Sequence, residues 1–136
     1  MAQELRTKVA ESEKVTINLG LVDLGQIDLL VQEGFYSNRT DLIRTAIRNQ
    51  LTSHGDVIRQ AVARKKLVLG LQHFSCADLE AVRAAGQTLQ IQVLGLATIA
   101  SDVTPELALA TISDVSVLGA LHASPAVRAA LAGRIR

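Results

Sequence analysis

Lys14, Thr16 and Asn18 carry hydrogen-bonding groups at alternate positions near the start of the chain. Lys14 offers an ammonium donor, Thr16 a hydroxyl with a methyl beside it, and Asn18 an amide that both donates and accepts. Side chains two apart share one face of a strand, so these three form a row that can meet a matching pattern of donors and acceptors. On an isolated strand the same row would simply be solvated. A second group, Ser37, Asn38, Arg39 and Thr40, stands just ahead of an apolar-periodic run. Ser37 or Asn38 suits a helix N-cap and Asp41 suits the positive end of the helix dipole. The free N–H groups of a helix start also bind phosphate, and a cap can shift to admit one. Covalent chemistry has no comparable support. Cys76 stands alone, and His54, His73 and His122 are scattered and form no ligand cluster. With no nucleophile–base pair, phosphate loop or paired carboxylates, neither an enzyme nor a metal site is expected, and no cofactor is implied.

The first row needs a strand to hold it, and residues 13–19 supply the pattern. Val15, Ile17 and Leu19 alternate with Lys14, Thr16 and Asn18, which is the signature of a half-buried strand. One short strand cannot persist alone, because its backbone groups and its apolar face both need partners. No hairpin partner follows, so the simplest partner is the same strand of a second copy. Residues 21–33 read as a helix with Leu24, Ile27, Leu30 and Val31 on one stripe. Gly25 within it costs about 1 kcal/mol relative to Ala and blurs the start, while Gly34 sits where a helix end wants a left-handed residue. Residues 37–52 read as a second helix, with Leu42, Ile43, Ala46, Ile47 and Leu51 as its buried stripe.

Strand, helix, glycine turn and helix in this order resemble the ribbon-helix-helix family of DNA-binding proteins, over residues 13–52. The segments that carry the resemblance are Lys14-Val15-Thr16-Ile17-Asn18-Leu19, Ile27-Asp28-Leu29-Leu30-Val31, and Glu33-Gly34-Phe35-Tyr36-Ser37-Asn38-Arg39-Thr40-Asp41-Leu42-Ile43-Arg44. The resemblance implies an intertwined homodimer through residues 13–52 whose two-stranded ribbon enters the major groove of double-stranded DNA. Lys14, Thr16 and Asn18 would then contact bases: Lys suits guanine, Asn suits adenine, and Thr adds a methyl contact to thymine. Ser37, Asn38, Arg39 and Thr40 would clamp the phosphate backbone. A sequence-specific transcriptional regulator, a repressor by type, is the implied function. The same ribbon serves plasmid partition and conjugation accessory proteins and the antitoxins of toxin–antitoxin pairs, so those readings stay open.

Totals set the remaining bounds. The chain has 136 residues, 49% hydrophobic and 20% charged, which suits one ordinary domain or two very small ones. There is no apolar run of signal-peptide or membrane-spanning length, so a cytoplasmic, nucleoid-associated protein without a membrane partner is expected. The net charge of +1 argues against a nonspecific DNA coat. Residues 1–66 hold 10 Lys/Arg against 8 Asp/Glu, whereas residues 67–136 hold 4 against 5 and contain no lysine. Residues 1–12 read as a flexible arm, 53–66 as a basic helical linker ending in Arg64-Lys65-Lys66, and 67–136 as a separate domain.

That second half repeats. Val-Leu-Gly recurs at Val68-Leu69-Gly70, Val93-Leu94-Gly95 and Val117-Leu118-Gly119, at intervals of 93 − 68 = 25 and 117 − 93 = 24 residues. Each copy continues into a helix-entry signal: Ser75-Cys76-Ala77-Asp78, Thr104-Pro105-Glu106 and Ser124-Pro125. A strand–helix unit at this period predicts parallel strands in a short α/β solenoid of three repeats. The expected fold class is therefore α+β, an N-terminal ribbon-helix-helix followed by this small solenoid. His73 and His122 hold equivalent places, with Thr98 between them, and are expected to stack in one column. Open ends and few charges point to self-association of residues 67–136, joining dimers into tetramers or longer arrays.

Overall fold

The computed structural model describes residues 12–136; the expected arm lies outside them except for Ser12. The chain divides into two compact units, the first ending at Ile58 and the second beginning at Arg59.

In the first unit, residues 13–20 carry no strand or helix and lead into α1 (Leu21–Gln32). The helix runs straight through Gly25, whose missing side chain faces open space. Its end is specific. Gly34 takes φ +86°, Phe35 N–H donates to Leu30 O at 3.0 Å, and Gly34 N–H donates to Val31 O at 3.1 Å. These are the two bonds of a Schellman cap, which satisfy carbonyls the helix would otherwise leave open. α2 (Arg39–Ser53) follows and packs against α1. Leu24, Ile27 and Val31 of α1 and Leu42 and Ile43 of α2 are half-buried. The expected stripe is covered only that far: Ile47 and Leu51 remain exposed. No residue described in these two helices is buried. α3 (Gly55–Lys65) spans the division between the units.

The second unit is a parallel sheet in sequential order: β1 (Val68–Phe74), β2 (Leu89–Ile99) and β3 (Ile112–His122). Between and after them run α4 (Cys76–Ala84), α5 (Pro105–Thr111) and α6 (Pro125–Ala130). Each helix is entered as its sequence requires. Ser75 and Asp78 form a reciprocal capping box with both bonds at 3.0 Å. The hydroxyls of Thr104 and Ser124 accept from Leu107 N–H and Val127 N–H, and Pro105 and Pro125 open their helices. α4 packs on α5 and α5 on α6. Leu79, Leu107, Val127 and Leu131 join one core with Ile91, Val93, Ala97, Ile99 and Val115 of the sheet. The buried side chains of β2 fall at alternate positions, so one sheet face meets the helices while the other carries Leu94 and Leu96. Thr111, the buried polar residue of this core, donates its hydroxyl to Leu107 O at 2.7 Å.

The three Val-Leu-Gly copies lie side by side: Val68 pairs with Val93 and Val93 with Val117, and the glycines follow suit. Gly70, Gly95 and Gly119 all hold φ between +120° and +140°. A Cβ on Gly95 would come 2.1 Å from Gly70 O, and one on Gly119 would come 2.1 Å from Gly95 O. Gly95 and Gly119 thus each open a recess that the glycine carbonyl of the preceding strand fills. The His73–Thr98–His122 column also forms, with His73 Nδ1 and Thr98 Oγ1 in hydrogen-bond contact. One residue, Ser113, is bulged out of the β2–β3 pairing.

Beyond β3 the chain returns for a single parallel bridge between Ile135 and Val115. Val115 N–H donates to Arg134 O and Arg136 N–H donates to Val115 O, at 2.9 and 2.8 Å. Arg134 further donates to Leu109 O and Ile112 O, both at 2.7 Å.

Candidate nucleic-acid interface

Residues 14–19 lie extended and solvent-exposed. Lys14, Thr16 and Asn18 are exposed as expected, but Val15 and Ile17, expected to pack on the helices, are 76% and 64% exposed as well. The strand expected over residues 13–19 is not formed: the segment has no ladder partner among the described residues, and a strand's backbone groups and apolar face both need one.

The start of α2 is built as the residues suggest. Asn38 is the N-cap, its side-chain oxygen accepting from Asp41 N–H at 2.8 Å, and Asp41 accepts in return from Ser37 N–H at 3.0 Å. Arg39 and Thr40 occupy the first two helical positions, whose N–H groups have no acceptor within the helix. All four candidate phosphate ligands, Ser37 to Thr40, are exposed. Their geometry includes a partner the sequence did not reveal. Arg39 grips Asp28 of α1 in a bidentate ion pair, Nε to Oδ1 at 2.7 Å and Nη2 to Oδ2 at 2.8 Å. That contact holds the Asp28 carboxyl below its usual range and raises Arg39 further. The residues stand 11 apart and meet only because the Gly34 turn folds one helix back on the other.

A family description, the ribbon-helix-helix transcriptional regulators, matches residues 10–128. This chain belongs to that family. Ribbon-helix-helix regulators bind DNA, typically as dimers, which agrees with the resemblance carried by residues 13–52. The match extends past the helical pair through all three strands into α6, so it takes in most of both units. No curated protein and no solved structure matches the chain. Among the described residues no helix is long and apolar enough to cross a membrane.

As a family member the chain is a DNA-binding transcriptional regulator. Lys14, Thr16 and Asn18 and, at the start of α2, Ser37, Asn38, Arg39 and Thr40 are exposed.

Proposed function

We propose that the chain represses transcription by reading a specific DNA site with a two-stranded ribbon formed from residues 13–19 of two copies. The observation that carries this reading is the state of the first unit. Val15, Ile17, Leu21, Val22, Leu29, Phe35, Ile47 and Leu51 are all exposed large apolar groups, and none of its described residues is buried. At about 25 cal/mol per Å² of apolar surface, that exposure disfavours a folded monomer and favours an intertwined second copy. Pairing residues 13–19 across a twofold axis supplies the missing strand partner and turns Val15, Ile17 and Leu19 inward. Lys14, Thr16 and Asn18 then face the major groove, and Ser37, Asn38, Arg39 and Thr40 meet the flanking phosphates.

Residues 67–136 form a three-rung α/β solenoid that holds dimers together, with residues 53–66 as the linker. Linked modules raise apparent affinity for repeated sites without new DNA contacts. The regulator works in the cytoplasm, on the nucleoid.

The test is capture of sheared genomic and plasmid DNA by the purified protein, followed by sequencing. Enrichment of a few promoter sites supports a repressor. Clustered repeats at a transfer origin or partition site would reassign it to plasmid maintenance, and no enrichment at moderate salt would overturn the ribbon reading. The double substitution Thr16→Ala, Asn18→Ala should erase site preference, by about 1–3 kcal/mol per lost base contact, while leaving the dimer intact. Unchanged specificity in a binding titration would remove these residues from base contact.

A further inference from the structure

We infer that copies of this chain join head to tail through their sheets, β1 of one copy docking alongside β3 of the next in parallel. The inference rests on the proposed self-association of residues 67–136 and specifies its surface.

The two edges of the sheet are complementary. Within the chain each rung seats its glycine carbonyl in the recess of the following glycine, Gly70 in Gly95 and Gly95 in Gly119. Gly70 has the same backbone form, φ +120°, yet nothing lies within 4 Å of its Cβ position. It is built as an internal rung with its neighbour missing. Gly119 repeats the conformation of the two glycines whose carbonyls fill recesses. Carrying the internal step across the gap brings Gly119 beside Gly70 of the next copy, with Val117 beside Val68 and Leu118 beside Leu69. A strand of this chain is thus the occupant that the recess fits.

Protection of the edges supports the same assignment. Edge strands that must stay bare are ordinarily blunted with charge or proline. β1 has neither, and its Leu69 and Leu71 are 69% and 60% exposed. Leu118, their counterpart on β3, is 53% exposed. No Asp, Glu, Lys or Arg lies on β1 to repel a second copy, and His73 is its one titratable side chain. At the far edge, among the described residues the returning tail bridges Val115, two residues short of the segment that β1 would cover. One side chain is in the way: Arg128 Nη1 donates to Leu121 O. An incoming strand must displace it, which sets a threshold for assembly without closing the edge. Because the two surfaces differ, the contact is heterologous and can propagate.

The test uses the full-length chain carrying Cys76→Ala, with either Leu69→Cys or Leu118→Cys. Neighbouring Cα atoms on paired strands lie within disulfide reach. Under mild oxidation the 1:1 mixture should form a disulfide-linked pair on a non-reducing gel, and neither variant alone should do so. Linkage of the Leu69→Cys variant to itself as efficiently as in the mixture would overturn head-to-tail docking in favour of β1–β1 pairing. No linkage in the mixture would overturn it as well. Sedimentation velocity of the unsubstituted chain separates the two readings. Species beyond the dimer without mixed linkage leave self-association standing and refute this surface, whereas no species beyond the dimer refutes both.

Discussion

At the scale of single residues, the Asp28–Arg39 pair decides how the start of α2 meets an anion. A guanidinium already held by two bonds to a carboxylate is not a free cation, so a phosphate approaching Arg39 competes with Asp28. Asp28→Asn should release it. Binding should tighten several-fold at low salt for all sequences alike, and the slope of log affinity against log salt should steepen by roughly 1. Titrations at several salt concentrations read both, and no change in either would place Arg39 away from the backbone. Acid should act through the same carboxylate and through Asp78. Asp78 is lowered first by the Ser75 backbone N–H bond and then by the Ser75 hydroxyl, while Asp28 is lowered by the Arg39 hydrogen bond. Both folded-state values are depressed, so their stabilising effect is complete above the ordinary aspartate range and is lost as pH falls through the lowered values. Thermal unfolding followed from pH 6 to pH 2 should show the midpoint falling over the acid end of that range. Ser75→Ala should diminish the part due to Asp78.

At the scale of elements, the helix entries and the rung register were legible in the sequence, because they rest on local chemistry. Ser75, Thr104 and Ser124 cap in the structure as their positions before Asp78, Pro105 and Pro125 imply, and Gly34 ends α1 through its left-handed backbone. The Val-Leu-Gly spacing likewise gave the parallel pairing. What the spacing could not convey is why glycine ends the tripeptide, since that requires knowing which carbonyl stands beside it. The answer makes Gly95 and Gly25 opposite cases. Gly25→Ala meets open space and should stabilise α1 by up to about 1 kcal/mol. Gly95→Ala drives a methyl into Gly70 O and forces a side chain to φ +140°, and should cost roughly 2–6 kcal/mol. Denaturant melts of the two variants check the contrast. For the ribbon, the alternation was readable but the burial of Val15 and Ile17 was not realised within one chain. Periodicity shows which face is apolar and not which molecule covers it.

At the scale of the molecule, the halves obtain their stability differently. The second unit holds a core of twelve buried hydrophobic residues, Leu79 to Leu131, whereas the first has no described residue buried. Dilution should therefore separate them. Helical circular dichroism from α1 and α2 should decline as the chain falls below the dimer dissociation constant, while hydrogen-exchange protection of β2 persists. Loss of both together would mean that the units fold as one. The glycine ladder carries a last consequence, for how the chain can change length. Because the Val-Leu-Gly copies pair in register at intervals of 25 and 24 residues, a whole strand–helix repeat is a unit that the glycine ladder can gain or lose in step. Its duplication or excision would leave both sheet edges as they are, while loss of one residue within a strand would put every later glycine out of step with its carbonyl. In such a gene, large insertions in phase with the rung are the mild lesions and the smallest deletions the severe ones.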